Sequence, residues 1–234
     1  FCARLRRPGE NVMPVSLHGR ECDLVGEVRR NEAVFALLGG TDGAKDALQR
    51  LCAAGLGNLT VHIGEKLGYA DEKISSGCVQ ELIEREYDPL SVMLIENPDS
   101  AGFVVTHGLE DDAFERDEVP MTKAEIRSIS LSKLRLPQGA VAYDVGSGSG
   151  SVSVEMAMQA FRGTVYAIEM KDNAVALTQK NKEKFSLMNL EVIHGKAPEA
   201  LNDLPAPTHA FIGGSSGSMK GIIDCLLKKN PHVR

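Results

Sequence analysis

Ala140-Val141-Ala142-Tyr143-Asp144-Val145-Gly146-Ser147-Gly148-Ser149-Gly150-Ser151-Val152 is the stretch that decides the fold. An apolar run, Ala140–Val145, reads as a buried strand, and Ser151–Ala160 reads as a helix. The three alternating glycines between them allow a tight turn and let a ligand approach bare backbone. A plain Gly/Ser loop would account for the glycines alone. Glu169 argues for more, because it ends the next strand, Thr164–Glu169, 21 residues after Gly148. A βαβ nucleotide site places there the carboxylate that accepts from ribose hydroxyls. The spacing departs from G-x-G-x-x-G, since Ser151 stands where the third glycine belongs. Asp144 also suits an ammonium or a sulfonium better than a pyrophosphate, which wants a helix N-terminus free of carboxylate.

Outward from this core the alternation continues. Asn173–Phe185 reads as helix, Leu190–His194 and His209–Ile212 as strands, and Gly217–Lys229 as helix. Strands alternating with helices of this length predict a parallel, doubly wound sheet with its ligand at the strand C-termini. Phe211-Ile212-Gly213-Gly214-Ser215 again ends a strand on bare backbone, where a strand-to-helix turn is the plainer account. Upstream, Thr122-Lys123-Ala124-Glu125 forms a capping-box pattern ahead of Ile126, Ile129 and Leu134.

The first half also alternates. Val12–Leu17, Ala33–Leu38, Leu59–Ile63 and Ser91–Glu96 read as strands, and Asp23–Arg30, Ala44–Ala54 and Gly77–Glu86 as helices. Gly39-Gly40-Thr41-Asp42-Gly43 and Ser75-Ser76 are the turn signals, with Asp or Ser available as caps. Pro98, Gly102, Gly108 and six acidic residues among Glu110–Glu118 place a linker at 98–118 between domains at 1–97 and 119–234.

With 234 residues, 43% of them hydrophobic, the chain can bury real cores, and its formal charge of −6 argues against nucleic acid as a partner. Cys2, Cys22, Cys52, Cys78 and Cys225 form no C-x-x-C pair, and the six histidines lack ligand spacing, so no metal is expected. No run approaches the ~20 apolar residues of a membrane span, and no signal peptide is legible, so a cytoplasmic protein without a membrane partner is expected.

Asp144-x-Gly146-x-Gly148-x-Gly150 resembles motif I of class I S-adenosylmethionine-dependent methyltransferases. The resemblance sharpens over Val119-Pro120-Met121-Thr122-Lys123-Ala124-Glu125-Ile126-Arg127, Ser130–Leu134, Gly195–Leu201 and Phe211–Ser215. These are similar to the C15-methylating, decarboxylating domain of the precorrin-6Y C5,15-methyltransferase family of cobalamin biosynthesis. Ser16–Arg20, Glu65–Tyr69 and Val92–Glu96 resemble the second lobe of that family's C5-methylating tetrapyrrole methylase domain.

The resemblance implies S-adenosylmethionine as methyl donor and a precorrin tetrapyrrole as substrate, in an intact enzyme expected to be a homo-oligomer. It assigns Thr122, Asp144, Gly146, Ser147, Gly148, Gly150, Glu169 and Gly213 to the donor, with Thr122 doubling as a helix cap. Lys196 stands where family members often carry an acid near the adenine amine. Lys123, Arg127, Lys133 and Gly214 are candidates for the substrate, the three cations for its carboxylates. In the first domain Gly39 and Gly40 are candidates for donor contact, and His18 or Arg20 for substrate. No catalytic nucleophile is required, because methyl transfer depends on holding a nucleophilic carbon near a sulfonium methyl. Another class I small-molecule methyltransferase, a nicotinamide oxidoreductase and a non-catalytic binding module stay open as alternatives. With Phe1 as its first residue and four strands after Gly139, the chain is expected to be a fragment unable to complete either methylation.

Overall fold

The computed structural model describes residues 1–18, 22–40, 43–100 and 107–234. Arg20, Thr41, Asp42 and Gly102, on which expectations were placed, lie outside the described residues. The chain divides into two compact units, 1–104 and 105–234.

In the first unit, strands β1 (Val12–Ser16), β2 (Ala33–Leu37), β3 (Thr60–Glu65), β4 (Lys73–Cys78) and β5 (Ser91–Glu96) form one sheet in the order β1-β2-β5-β3-β4. Only β1 and β2 run parallel. Alternate residues build the core: Val34 and Val61 both pair with Ile95, and Ala36 and Ile63 both pair with Met93. All six are buried, as the period of two in a strand dictates. Helices α1 (Leu24–Arg30) and α2 (Gly43–Ala53) add Leu24, Val28, Leu48 and Leu51 to this core. Asp23 caps α1 by accepting the Gly26 N–H.

The expected helix at Gly77–Glu86 is corrected. Its first two residues end β4, which pairs with β3 from Thr60↔Cys78 to Glu65↔Lys73, and only α3 (Val79–Leu82) is helical. Lys73-Ile74-Ser75-Ser76-Gly77-Cys78 carries almost no apolar alternation, so backbone pairing along β3 makes this edge strand rather than side-chain pattern.

In the second unit, β6 (Val141–Val145), β7 (Thr164–Glu169), β8 (Leu190–His194) and β9 (His209–Ile212) lie in the order β8-β7-β6-β9. All three pairings are parallel. Helices α4 (Ala124–Leu134), α5 (Ser151–Gln159), α6 (Asp172–Lys184) and α7 (Met219–Lys229) complete the unit. Both faces of the sheet are covered. Ala142, Val165 and Ala167 join Val152, Met156 and Leu131 in one core, whereas Tyr143, Val145, Tyr166 and Ile168 join Ile222 and Leu226 in the other. The chain steps from β6 to β7 and β8 on one side and returns to β9 on the other. This makes the gap beyond the ends of β6 and β9 the topological switch point.

The acidic stretch before α4 is not free linker. Phe114 is buried in the second unit's core, and the Glu115 N–H donates to Asn181 Oδ1 at 2.8 Å. No helix among the described residues is long and apolar enough to cross a membrane.

Candidate active site

At the switch point a cleft of about 250 Å³ is lined by residues from four strand ends. Asp144 and Val145 end β6 and Gly146–Gly148 follow it, Glu169 ends β7 and Met170 and Lys171 follow it, Gly195–Ala197 follow β8, and Gly213–Ser216 follow β9. Val119, Pro120 and Thr122 form a further wall.

The glycine loop is held by backbone bonds to β7 and within itself. Gly146 and Ser147 N–H both donate to Ile168 O, at 2.8 and 3.2 Å, and Gly150 N–H donates to Ser147 O at 2.9 Å. Gly146 has φ +75°, and a Cβ there would stand 2.6 Å from Gly214 O, so the loops after β6 and β9 meet where only glycine fits. From α6, Thr178 Oγ1 donates to Gly148 O and Asn181 Nδ2 to Ser149 O. Gly150 lies under the loop against Thr178 and is not part of the lining.

Asp144 stands on the α5 face of β6 and is 1% exposed. Its Oδ2 accepts the Ser153 hydroxyl, and Oδ1 has no partner. Burial pushes its carboxyl up to about 7; the Glu169 charge adds to the rise, while the Ser153 hydroxyl and N–H oppose it. The buried Ser147 hydroxyl is likewise unpartnered and lines the cleft. A buried carboxylate oxygen without a donor is costly, and a ligand bringing a cationic donor would satisfy it.

Glu169 is 7% exposed and spends its carboxylate on backbone. Oε2 accepts Gly148 N–H at 3.0 Å, and Oε1 accepts Met170 N–H at 2.8 Å and Lys171 N–H at 3.0 Å. Oε1 has both its acceptor sites filled, and Oε2 keeps one for a ligand in the cleft. Gly146, Ser147, Gly148 and Gly150 N–H are all engaged inside the protein, so four of the loop's donors are not offered to a pyrophosphate. The glycine spacing and the Asp144 carboxylate beside the loop also argue against the pyrophosphate of a nicotinamide dinucleotide.

Thr122, Asp144, Gly146, Ser147, Gly148, Glu169, Gly213 and Gly214 converge on this cleft. The capping box at Thr122 is corrected: α4 has Lys123 at its N-cap with no side-chain cap bond, and Asp111 accepts the Ala124 N–H instead. Arg127 is corrected as a substrate-facing cation, because its side chain is 0% exposed and pairs with Glu155 and Asp111. Its place at the fourth position of α4 turns it inward beside Leu131. Lys123 is exposed and pairs with Asp111, and Lys133 is exposed on α4. In the first unit, His18 and Gly39 are neighbours, a Cβ on Gly39 falling 2.7 Å from His18 Cα.

Sequence reasoning missed Ser153, Thr178 and Asn181. A signal existed for the last two: they share a helix face with Ala174, so polar residues at buried spacing were legible. Met170 and Lys171, which line the cleft, carried no signal beyond following Glu169.

A family model described as precorrin methyltransferase domain matches residues 112–234. The chain belongs to that family. Among curated relatives, a probable cobalt-precorrin-6B C(15)-methyltransferase (decarboxylating) of Pyrobaculum calidifontis is 47% identical over 127 residues, 53% of this chain and 65% of the relative. A precorrin-6Y C(5,15)-methyltransferase [decarboxylating] of Sinorhizobium sp is 31% identical over 218 residues, 92% of this chain and 52% of the relative. The chain thus spans between half and two thirds of the relatives' lengths. The crystal structure of a precorrin-6y C5,15-methyltransferase from Geobacter metallireducens shares 38% identity and a TM-score of 0.52, over 54% of this chain and 67% of that one. In this precorrin methyltransferase domain the class I methyltransferase sheet is therefore β6–β9 with its flanking helices.

Proposed function

We propose that the second unit binds S-adenosylmethionine in the cleft beyond β6 and serves methylation at C15 of a precorrin macrocycle with loss of an acetate carboxyl as carbon dioxide. The single observation that carries this is Asp144: a buried carboxylate with one oxygen unpartnered, in the lining of a cleft whose loop already engages four of its N–H groups inside the protein. That site asks for a cationic donor, and the methionine end of S-adenosylmethionine carries an ammonium. When bound, the donor supplies an electrophilic methyl on its sulfonium.

The protein's part is to bind, orient and exclude water. Asp144 and Ser147 receive the amino-acid end, Gly146 and Gly148 let it approach backbone, and Glu169 accepts from the ribose hydroxyls. Thr122 and Gly213 close the walls on either side. Lys196 lies in the cleft and presents a donor, not an acceptor, toward the ring end. Lys123 and Lys133, beside exposed Ile126 and Ile129 on α4, suit a flat apolar macrocycle with carboxylates, and Gly214 lets it approach the donor. The first unit is proposed as the second lobe of a C5-methylating tetrapyrrole methylase domain, supported by the Sinorhizobium alignment that runs through it.

Calorimetric titration of the 234-residue chain with S-adenosylmethionine tests the donor site, the expected result being one-to-one binding abolished by Asp144→Lys. Methyl transfer from labelled donor to a precorrin, followed in the whole parent enzyme, tests the reaction. Binding of NAD in preference to S-adenosylmethionine would overturn the reading.

A further inference from the structure

Arg127 and Glu155 form an ion pair that is wholly buried, with both side chains 0% exposed. Replacing such a pair by apolar residues is often neutral or stabilising, so stability alone is a weak reason for a guanidinium here. Its contacts suggest another. Nε donates to Glu155 Oε1 at 2.5 Å, Nη1 donates to Thr122 O at 2.6 Å and Asp111 Oδ1 at 3.3 Å, and Nη2 donates to Leu109 O. The guanidinium lies 4.7 Å from the centre of the Phe114 ring. Glu155 in turn accepts Gly108 N–H at 2.6 Å and Leu109 N–H at 3.2 Å.

One planar fork therefore ties together three pieces of chain: the 108–111 segment, the Thr122 carbonyl, and α5, which begins directly after the glycine loop. Thr122 belongs to the Val119–Thr122 wall of the cleft, and this wall sits tight on the loop: a Cβ on Gly148 would lie 2.9 Å from Pro120 O. Arg127 itself does not line the cleft.

We infer that Arg127 is a positioning residue, which fixes the Val119–Thr122 wall over the Gly146–Gly150 loop and so sets affinity for the methyl donor without touching it. The inference rests on the reading of this cleft as the donor site. Five N–H groups in a rigid fork can bond Glu155, Thr122 and Leu109 at once, whereas a lysine ammonium is a point charge that keeps the Glu155 pair and loses part of the rest.

The test uses the 234-residue chain with Arg127→Lys, and with the paired Arg127→Met and Glu155→Met change as a second variant that leaves no buried charge alone. S-adenosylmethionine affinity is measured by calorimetry well below the melting temperature, and backbone hydrogen exchange is followed over 119–124. We expect each folded variant to bind the donor about tenfold or more weakly, the scale of one lost charge-assisted hydrogen bond, with exchange over 119–124 accelerated at least as much. A merely structural role would lower the melting temperature and leave both readouts unchanged in the folded protein, and that result overturns the inference. Should the unmodified chain fail to bind S-adenosylmethionine, the donor reading falls; unchanged exchange in the variants would still refute the positioning role, and accelerated exchange would still support it.

Discussion

The Glu169 carboxylate accepts the Gly148 N–H at 3.0 Å, so the acid that ends β7 fastens the glycine loop that follows β6. The same group is proposed for the donor's ribose, and the two roles are compatible because Oε2, which accepts only the Gly148 N–H from the protein, keeps a second acceptor site.

Glu169→Ala is therefore expected to do two things at once. Three backbone N–H groups lose their acceptor, and hydrogen bonds to a charged group are worth about 1.5–3 kcal/mol each. Both the melting temperature and S-adenosylmethionine affinity should drop. Glu169→Gln, which keeps one acceptor oxygen, should recover much of the stability and less of the affinity. Thermal unfolding and calorimetry of the two variants check this, and full donor affinity in a folded Glu169→Ala chain would refute the ribose assignment.

Gly146 and Gly217 make a controlled comparison. Both have positive φ, +75° and +84°, but a Cβ at Gly146 meets Gly214 O at 2.6 Å whereas at Gly217 nothing lies within 4 Å. Gly217→Ala should cost only the left-handed backbone, about 1 kcal/mol. Gly146→Ala adds a clash with main chain that cannot swing aside, so it should cost more and also abolish donor binding. Denaturant unfolding measures the first effect and calorimetry the second.

Asn181 links three segments from its buried place on α6. It donates to Ser149 O at 2.9 Å and Glu115 O at 3.2 Å, and accepts Glu115 N–H at 2.8 Å. Asn181→Leu leaves those groups without partners, at about 1–3 kcal/mol for each one that stays buried. Chemical denaturation should show the loss. Asn181→Asp should also destabilise, since a carboxylate cannot donate to the two carbonyls.

Much of this was legible before any coordinates. The second sheet's two central strands follow from apolar runs buried on both faces, and Thr164–Glu169, Leu190–His194 and His209–Ile212 coincide with the observed elements. That Asp144, Gly146, Gly148 and Glu169 would share one strand edge was legible because their spacing is set by βαβ geometry. What failed was decided by long-range pairing. The strand at Lys73–Cys78 owes its state to β3, and the inward turn of Arg127 depends on Glu155, 28 residues later. The cap of α4 comes from Asp111, 13 residues before Ala124, where local pattern pointed to Thr122. Phe114 looked like linker because its neighbours are acidic, yet its ring is buried in the core and the bonds of Glu115 to Asn181 and of Asp111 to Arg127 help hold the stretch.

The pH dependence of donor binding should report on Asp144. Burial holds its carboxyl at about 7, against an ordinary 3.8, so in the free chain it is largely protonated at pH 5.5. Between those values the folded chain binds more protons than the unfolded one, and this group's contribution to stability falls as pH rises toward 7. An ammonium placed against the free Oδ1 reverses the preference by favouring the ionised form. Binding below pH 7 must then expel a proton, and affinity should fall as pH drops. From pH 7 to 5.5 the expected loss is roughly tenfold, because the ionised fraction falls by about that factor. Calorimetry in two buffers of different ionisation enthalpy should show proton release near pH 6. Asp144→Asn should bind more weakly at pH 7 and show neither proton release nor this pH dependence, with Glu169 left intact as the control. If affinity for S-adenosylmethionine is flat from pH 5.5 to 7 in the unmodified chain, Asp144 does not meet the ammonium.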